Sequence, residues 1–215
     1  MPSDHTKPGV GRSTGRPATI DPDAVAGVAL RLFAENGYER TSMEDIARAA
    51  GIGRKSLYRY FPNKADLVWG GMEPVVEASG QVLENARAGD PSDGDKGDGD
   101  TSDSGILARL RAAAIAGASA IPDLSVTRGR LRLIAEHPEL ASRSYDALAP
   151  QRERARLYLL AQGVSESAAC YLCAAYLGAT FEAWMQWAAG TDADPVPYLV
   201  EALGVLRVPA VRPGG

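Results

Sequence analysis

The run TSMEDIARAAGIGRKSLYRYFPNKADL, residues 41–67, decides the fold. Thr41 and Glu44 have the Ser/Thr-x-x-Glu spacing of a capping box, which satisfies amide groups at a helix start. A short helix of roughly 42–50 follows, with Ile46 and Ala50 facing inward, and it stops at Gly51. Gly51-Ile52-Gly53 reads as a tight turn, because glycine reaches backbone conformations closed to other residues. A second short helix starts near Arg54, carries Leu57 inward and stops before Pro62, since the residue preceding proline is pushed out of the α region. Two short helices joined by a glycine-bearing turn describe a helix-turn-helix. The second helix reads Arg54-Lys55-Ser56-Leu57-Tyr58-Arg59-Tyr60, with Leu57 its one plain hydrophobe. A helix that merely covers a core buries a wider apolar stripe. This one offers three cations, a hydroxyl and two phenols, groups that meet base edges and phosphates in a DNA groove. Helix N-termini add amide donors for phosphate. A solvated helical hairpin with no nucleic-acid role has the same two-helix outline.

Helices extend from this run in both directions. Upstream, Asp21 is an N-cap with Pro22 at the first helical position, Val25, Val28, Leu32 and Phe33 recur at helical spacing, and Asn36-Gly37 closes the helix. Downstream, Asn63 caps a long helix through Leu67, Val68, Met72, Val75, Val76 and Leu83 to about Arg87. Residues 89–105 (GDPSDGDKGDGDTSDSG) hold six Asp and no apolar side chain, so they are expected to form a disordered linker. Apolar-periodic helices are expected near 106–121, 125–136, 139–162, 165–189 and 195–207. Ala (36) and Leu (20) far outnumber Val (14) and Ile (7), which favours helix because β-branched residues lose rotamer freedom there. The fold class is therefore all-α. The expected organisation is a flexible basic arm (1–17), a three-helix DNA-binding unit (18–62) and a helical body (63–208) interrupted by the Asp/Gly-rich loop.

Charge follows that division. The net charge of -4 looks unsuited to a polyanion partner, but residues 1–64 carry ten Lys/Arg against seven acids, +3, leaving -7 for the rest. Other classes find little support. The longest uncharged apolar stretch, Ser167–Phe181, has 15 residues, short of the about 20 that a bilayer span needs. Residues 1–17 show no apolar signal core, and two Cys without a framework suit a reducing compartment, so a cytoplasmic protein is expected. Two distant His speak against a His-based metal site, and no Ser/His/Asp set is evident, so neither a metal, a cofactor nor catalysis is expected. Cys170-x-x-Cys173 has redox spacing but lies mid-helix among Ala, Tyr and Leu, and is read as two buried thiols. His137, before Pro138, is read as a helix-end residue.

The 41–67 run resembles the DNA-binding module of the TetR family of bacterial transcriptional regulators. The matching residues are Thr41-Ser42, Ile46-Ala47, Ala50-Gly51-Ile52, Leu57-Tyr58, Tyr60-Phe61, Lys64 and Leu67, and with Phe33 and Asn36-Gly37-Tyr38 the likeness covers about 16–67. Gly53 departs from a family serine that caps the helix, and Lys55 from a family glycine. The resemblance implies that Thr41 and Ser42 touch phosphate, that Arg54, Lys55, Ser56, Tyr58 and Arg59 face the groove, and that Tyr60 and Lys64 reach the flanking backbone. Arg12 and Arg16 belong first to the disordered arm, with minor-groove entry as the alternative. It further implies a homodimer through the last two helices, where Ala174, Ala175, Tyr176, Gly178, Ala179, Leu199 and Leu203 lie. Such a dimer would present two recognition helices about 34–36 Å apart to a palindromic double-stranded operator, usually to repress it.

In the body, Trp69, Met72, Tyr145, Tyr176, Phe181, Trp184 and Met185 are candidates to line an effector pocket between the 63–87 and 165–189 helices; plain core packing explains each as well. The segment RGRLRLIAEHPELASRS (128–144) and Asp66–Gly70 are similar to the mycofactocin-associated subgroup, which implies a fatty acyl-coenzyme A effector. Arg128, Arg130 and Arg132 would then meet its phosphates; a solvated charge run is the other reading.

Overall fold

A computed structural model describes residues 20–88 and 103–207. The expected arm (1–17), residues 89–102 of the expected linker and residue 208 lie outside the described residues. Helices are the regular structure throughout, as the composition requires.

Helix α1 spans Pro22–Asn36, and Asp21 Oδ1 accepts from the amides of Asp23 (3.0 Å) and Ala24 (3.3 Å). Gly37, at φ +86°, turns the chain out and donates its N–H to the Phe33 carbonyl at 2.9 Å. Helix α2 (Met43–Ala49) opens one residue later than the sequence pattern suggested. Its capping box is Ser42 with Asp45, because the Thr41 hydroxyl is turned inward. Helix α3 (Arg54–Tyr60) follows the Gly51 turn, and its N-cap Gly53 provides no side-chain cap. Helix α4 (Lys64–Trp69) is capped by Asn63, reciprocally with Asp66.

These four helices surround Ala26, Ala29, Phe33, Ile46, Leu57, Leu67 and Val68, all nearly or wholly buried. Two body residues, Ile134 and Leu140, are buried in the same cluster. Burying a large aliphatic side chain is worth about 1.5–3 kcal/mol.

The long helix expected over 63–87 is broken. After α4 comes Gly70-Gly71-Met72, then α5 (Glu73–Ala88). A Cβ on Gly70 would sit 3.0 Å from Phe61 Cε1 and 3.2 Å from Ala26 Cβ, so a side chain here would press on both neighbours. Gly71 has φ +73°, the left-handed region. Pro74 lacks the N–H that an uninterrupted helix would need and would press on the carbonyl four residues back. Three residues within a five-residue stretch thus favour one break.

In the body, α5 packs on α6 (Asp103–Ser119), and α7 (Leu124–Glu136) is capped by Asp123. The helix expected over 139–162 divides into α8 (Pro138–Ala141), α9 (Ser144–Ala147) and α10 (Ala149–Ala161). Pro150, at the start of α10, cannot donate to the preceding turn. The 24-residue α11 (Glu166–Ala189) packs against α7, α10 and α12 (Val196–Gly204).

Replacing Gly71 by alanine forces a side chain into a left-handed conformation, which costs about 1–3 kcal/mol. Urea unfolding of Gly71→Ala is expected to show a midpoint lowered by that free energy divided by the slope, with the slope unchanged.

Candidate functional site

Helix α3 is held by one side chain and leaves the rest of its surface outward. Leu57 is fully buried, Ser56 is half-buried, and Arg54, Lys55, Tyr58, Arg59 and Tyr60 are exposed. The Arg54 guanidinium lies 5.6 Å from the Tyr58 ring centroid, and that of Arg59 lies 5.0 Å from the Tyr60 ring. Arg59 Nη2 also donates to Tyr60 Oη at 3.3 Å. These contacts pair each arginine with a phenol on one surface while consuming few of its donors. The ion pair from Arg54 to Glu44 Oε2, at 3.9 Å, is loose and exposed on both sides. Exposed pairs of this kind are worth about 0–1 kcal/mol and yield easily to a phosphate.

Three of the expected phosphate contacts are placed otherwise. Thr41 is buried, and its hydroxyl donates to the Gly37 (2.9 Å) and Leu32 (3.3 Å) carbonyls, locking the end of α1 onto the start of α2. Its role is therefore internal. Ser42 is exposed, but its Oγ accepts from the Asp45 amide (3.1 Å) and donates to Asp45 Oδ2 (2.6 Å), so a carboxylate stands where phosphate was expected. Those hydrogen bonds from Ser42 hold the Asp45 carboxyl below its ordinary range. Lys64 Nζ donates to the Tyr38 carbonyl at 2.8 Å and sits 4.3 Å from the Tyr38 ring centroid, which ties α4 to the α1–α2 corner.

A cavity of about 300 Å³ opens where α1, α4, α5, α6, α7, α10 and α11 meet. Five sequence candidates line it: Trp69, Met72, Tyr176, Phe181 and Trp184. Trp69 and Phe181 lie with ring centroids 6.1 Å apart, and Tyr176 is anchored through its hydroxyl to the Leu110 carbonyl at 3.1 Å. Two candidates do not reach it. Tyr145 is 68% exposed with the Arg152 guanidinium over its ring, and Met185 packs instead among the hydrophobic side chains around Trp187.

The polar part of this wall includes Arg130 from α7, which the sequence reading offered for a ligand's phosphates, and Asp23 from α1 with Gln151 and Arg154 from α10, which it did not single out as site residues. Arg130 occupies the apolar line Val126–Arg130–Ile134 of α7, a charged residue at a core position, and that was the available signal. Its Nη1 donates to Met72 Sδ at 3.1 Å, while Arg130 Nε and Gln151 Oε1 are buried without a hydrogen-bond partner among the described residues. Burial lowers the Arg130 pKa, opposed by Asp23 and Glu73. Asp23 is pushed up to about 6, first by burial and then by a hydrogen bond with Glu73, and Arg130 only partly offsets this. Arg154 donates to the Val76 carbonyl and lies across Gly80, joining α10 to α5.

The other two arginines of the 128–132 series are engaged elsewhere. Arg132 donates to the carbonyls of Ala188 (2.7 Å) and Gly190 (3.2 Å) at the end of α11. Arg128 donates to the Asp192 carbonyl and lies 4.2 Å from the Trp187 ring centroid. Both clamp the α11 terminus, so the three arginines do not form one phosphate site.

Cys173 is buried, which pushes its thiol up to about 11, whereas Cys170 is exposed, contrary to the expectation that both are buried. His137 joins α7 to α8, with its ring 4.8 Å from that of Tyr38. With Glu39 and Glu139 it places three possible metal-ligating atoms within 4.8 Å of one another, a grouping sequence spacing did not reveal. The outward face of α11 exposes Cys170, Tyr171, Ala174, Ala175 and Gly178, and α12 exposes Val200. Tyr176, Leu199 and Leu203, expected on that face, are buried within the subunit.

A family profile, "Bacterial regulatory proteins, tetR family", matches residues 27–68. The protein described as the mycofactocin biosynthesis transcriptional regulator MftR of Mycobacterium tuberculosis is 33% identical over 142 residues, 65% of this chain and 64% of that one. The TetR family is thus what residues 27–68 are similar to. The HTH-type transcriptional repressor ComR of Escherichia coli is 43% identical to this chain over 58 residues, 27% of this chain and 28% of that one. The matches thus span less than two thirds of either relative. The fatty acid degradation regulator FadR of Bacillus halodurans superposes with a TM-score of 0.51 at 17% identity, covering 92% of this chain and 99% of that one, and shows the same all-α fold. No helix among the described residues is long and apolar enough to cross a membrane.

Two outcomes follow. Thr41→Val removes a buried donor bonded to two carbonyls and is expected to cost about 1–2 kcal/mol in chemical denaturation. Asp23, with a folded pKa near 6 against 3.8 in a free chain, favours the folded state when protonated. That contribution is complete below about pH 4 and is lost as pH rises through about 6. Asp23→Asn is expected to flatten the fall in melting temperature between pH 4 and 7.

Proposed function

We propose that this protein is a ligand-responsive transcriptional regulator, acting as a repressor, that binds a palindromic operator as a homodimer. One observation carries the reading: α3 is anchored through Leu57 alone and turns Arg54, Lys55 and Arg59 to solvent. A short, firmly seated cationic helix of this kind suits insertion into a major groove. Arg54 and Arg59 are suited to guanine edges or phosphate, Lys55 to phosphate, and Ser56, Tyr58 and Tyr60 to nearby backbone oxygens. Ser42 and Lys64 flank this surface at the starts of α2 and α4. The exposed stripe of small residues and Tyr171 on α11, continued by α12, supports a twofold interface through the last two helices. The largely apolar cavity, with Trp69, Met72, Tyr176, Phe181 and Trp184 in its wall, supports a small hydrophobic effector. A fatty acyl-coenzyme A is the effector to test first, with its acyl chain in the cavity. The likeness to the mycofactocin regulator supports that choice. Regulation requires that the effector prefer one of two dimer geometries, of which only one matches both half-sites. A regulator of this kind acts on DNA in the cytoplasm.

Selection from a random duplex pool is the deciding experiment. A palindrome with half-sites about one helical turn apart is expected, and recovery of no common sequence would remove the proposal. On the selected operator, Arg54→Ala is expected to cost about 1–3 kcal/mol and relax one base position, whereas Lys55→Ala weakens all sequences alike and reduces the salt slope.

A further inference from the structure

The α1–α2 turn and the α7–α8 corner meet at a cluster that neither the DNA-facing surface nor the cavity uses. Glu39 stands in the turn after α1, His137 joins α7 to α8, and Glu139 lies in the first turn of α8. One ligand atom from each lies within 4.8 Å of the other two. His137 Nδ1 is already 3.2 Å from Glu139 Oε1. Zinc holds nitrogen and oxygen ligands at about 2.0–2.1 Å in a tetrahedron, whose edge is then about 3.3 Å. The His137–Glu139 pair thus has the spacing of one tetrahedral edge. Glu39 is exposed, so rotation of its side chain closes the remaining gap. A single histidine is enough here because a second carboxylate arrives from far along the chain.

The surroundings hold this set in place and leave it short of positive charge. The His137 carbonyl accepts from the amides of Leu140 (2.9 Å) and Ala141 (3.2 Å), which fixes the corner, and Leu140 is fully buried. The buried Tyr38 ring packs 4.8 Å from the imidazole and orients it. Two cations around Tyr38 have other partners: Lys64 Nζ donates to the Tyr38 carbonyl at 2.8 Å, and Arg143 pairs with Asp66 at 2.6 Å. The Glu39 side chain has neither an ion pair nor a hydrogen bond among the described residues. Burial raises the Tyr38 phenol pKa, and the charges of Glu139 and Glu39 raise it further, so both carboxylates act on the same spot. An imidazole nitrogen beside two carboxylates suits a borderline transition-metal ion better than Mg2+ or Ca2+, which take oxygen ligands.

We propose that Glu39, His137 and Glu139 bind a zinc ion, with water in its fourth position, and that the ion clips the DNA-binding unit to the body. Bound zinc adds a coordinate link to a seam that already holds the Trp69–Leu140 hydrogen bond and the Arg143–Asp66 pair. Because its ligands come from both units, the ion is held only while the seam is closed, and it stabilises that form by mass action.

The test uses the full chain, stripped of metal by a chelator. Zn2+ is followed by calorimetry, Co2+ serves as a coloured substitute, and Mg2+ is the control. Zinc is expected to bind one-to-one and to raise the melting temperature, and Mg2+ to do neither. The strong visible absorption of four-coordinate cobalt is expected in the wild-type protein. Glu39 and Glu139 are exposed, so Glu39→Gln and Glu139→Gln keep the fold. Each is expected to weaken zinc by about tenfold or more, to abolish the rise in melting temperature and to remove the cobalt absorption. Zinc binding that both variants keep at full strength places the ion elsewhere on the chain and overturns the site. Loss in only one of the two variants overturns the three-ligand set and, with it, the clip. Absence of saturable zinc binding by the wild-type protein overturns the proposal outright.

Discussion

Burial of Leu57 is the constraint on which the DNA-facing surface depends. Helix α3 has seven residues, too few to be stable alone, and it contributes a single side chain to the interior. Leu57 enters a cluster built by Phe33, Ile46 and Leu67, and Phe61 closes it from the end of the helix. With one anchor facing in, the neighbouring positions are free to carry arginine, lysine and tyrosine without burying charge. The Thr41 hydroxyl bonded across the α1–α2 corner and Lys64 seated on Tyr38 keep the surrounding helices in register. The outward chemistry of α3 is thus a consequence of inward contacts made mostly by other elements.

The helix-turn-helix was legible because its signals are local. Asp21-Pro22, Gly37, Gly51 and Asn63 each set a cap or turn by their own chemistry, and the structure uses them as such. What the sequence concealed was competition between neighbours. Thr41 and Ser42 both fit a cap, and tertiary burial of Thr41 gave the role to Ser42. The apolar spacing from Leu67 to Leu83 is compatible with one helix, yet Gly70, Gly71 and Pro74 break it, because Gly70 must pass close to Phe61 and Ala26. Large apolar residues pointed toward the cavity, but Tyr145 and Met185 show that size and helical phase do not tell an exposed face, a core and a cavity wall apart.

Charged residues in the body were harder still. Arg128, Arg130 and Arg132 look like one basic run, but alternate residues on a helix point in different directions. Two of them fasten the end of α11, and the third enters the interior. Only contacts distant in sequence, such as those to Asp192, Ala188 and Met72, distinguish them.

The DNA-reading unit does not own its interior. Ile134 and Leu140 complete the cluster around Leu57, Trp69 Nε1 donates to the Leu140 carbonyl at 3.1 Å, and Arg143 pairs with Asp66 at 2.6 Å. The α7–α8 corner is therefore a shared keystone. A chimera that grafts another regulator's reading head onto this body inherits a mismatched seam unless residues around 134–143 travel with it.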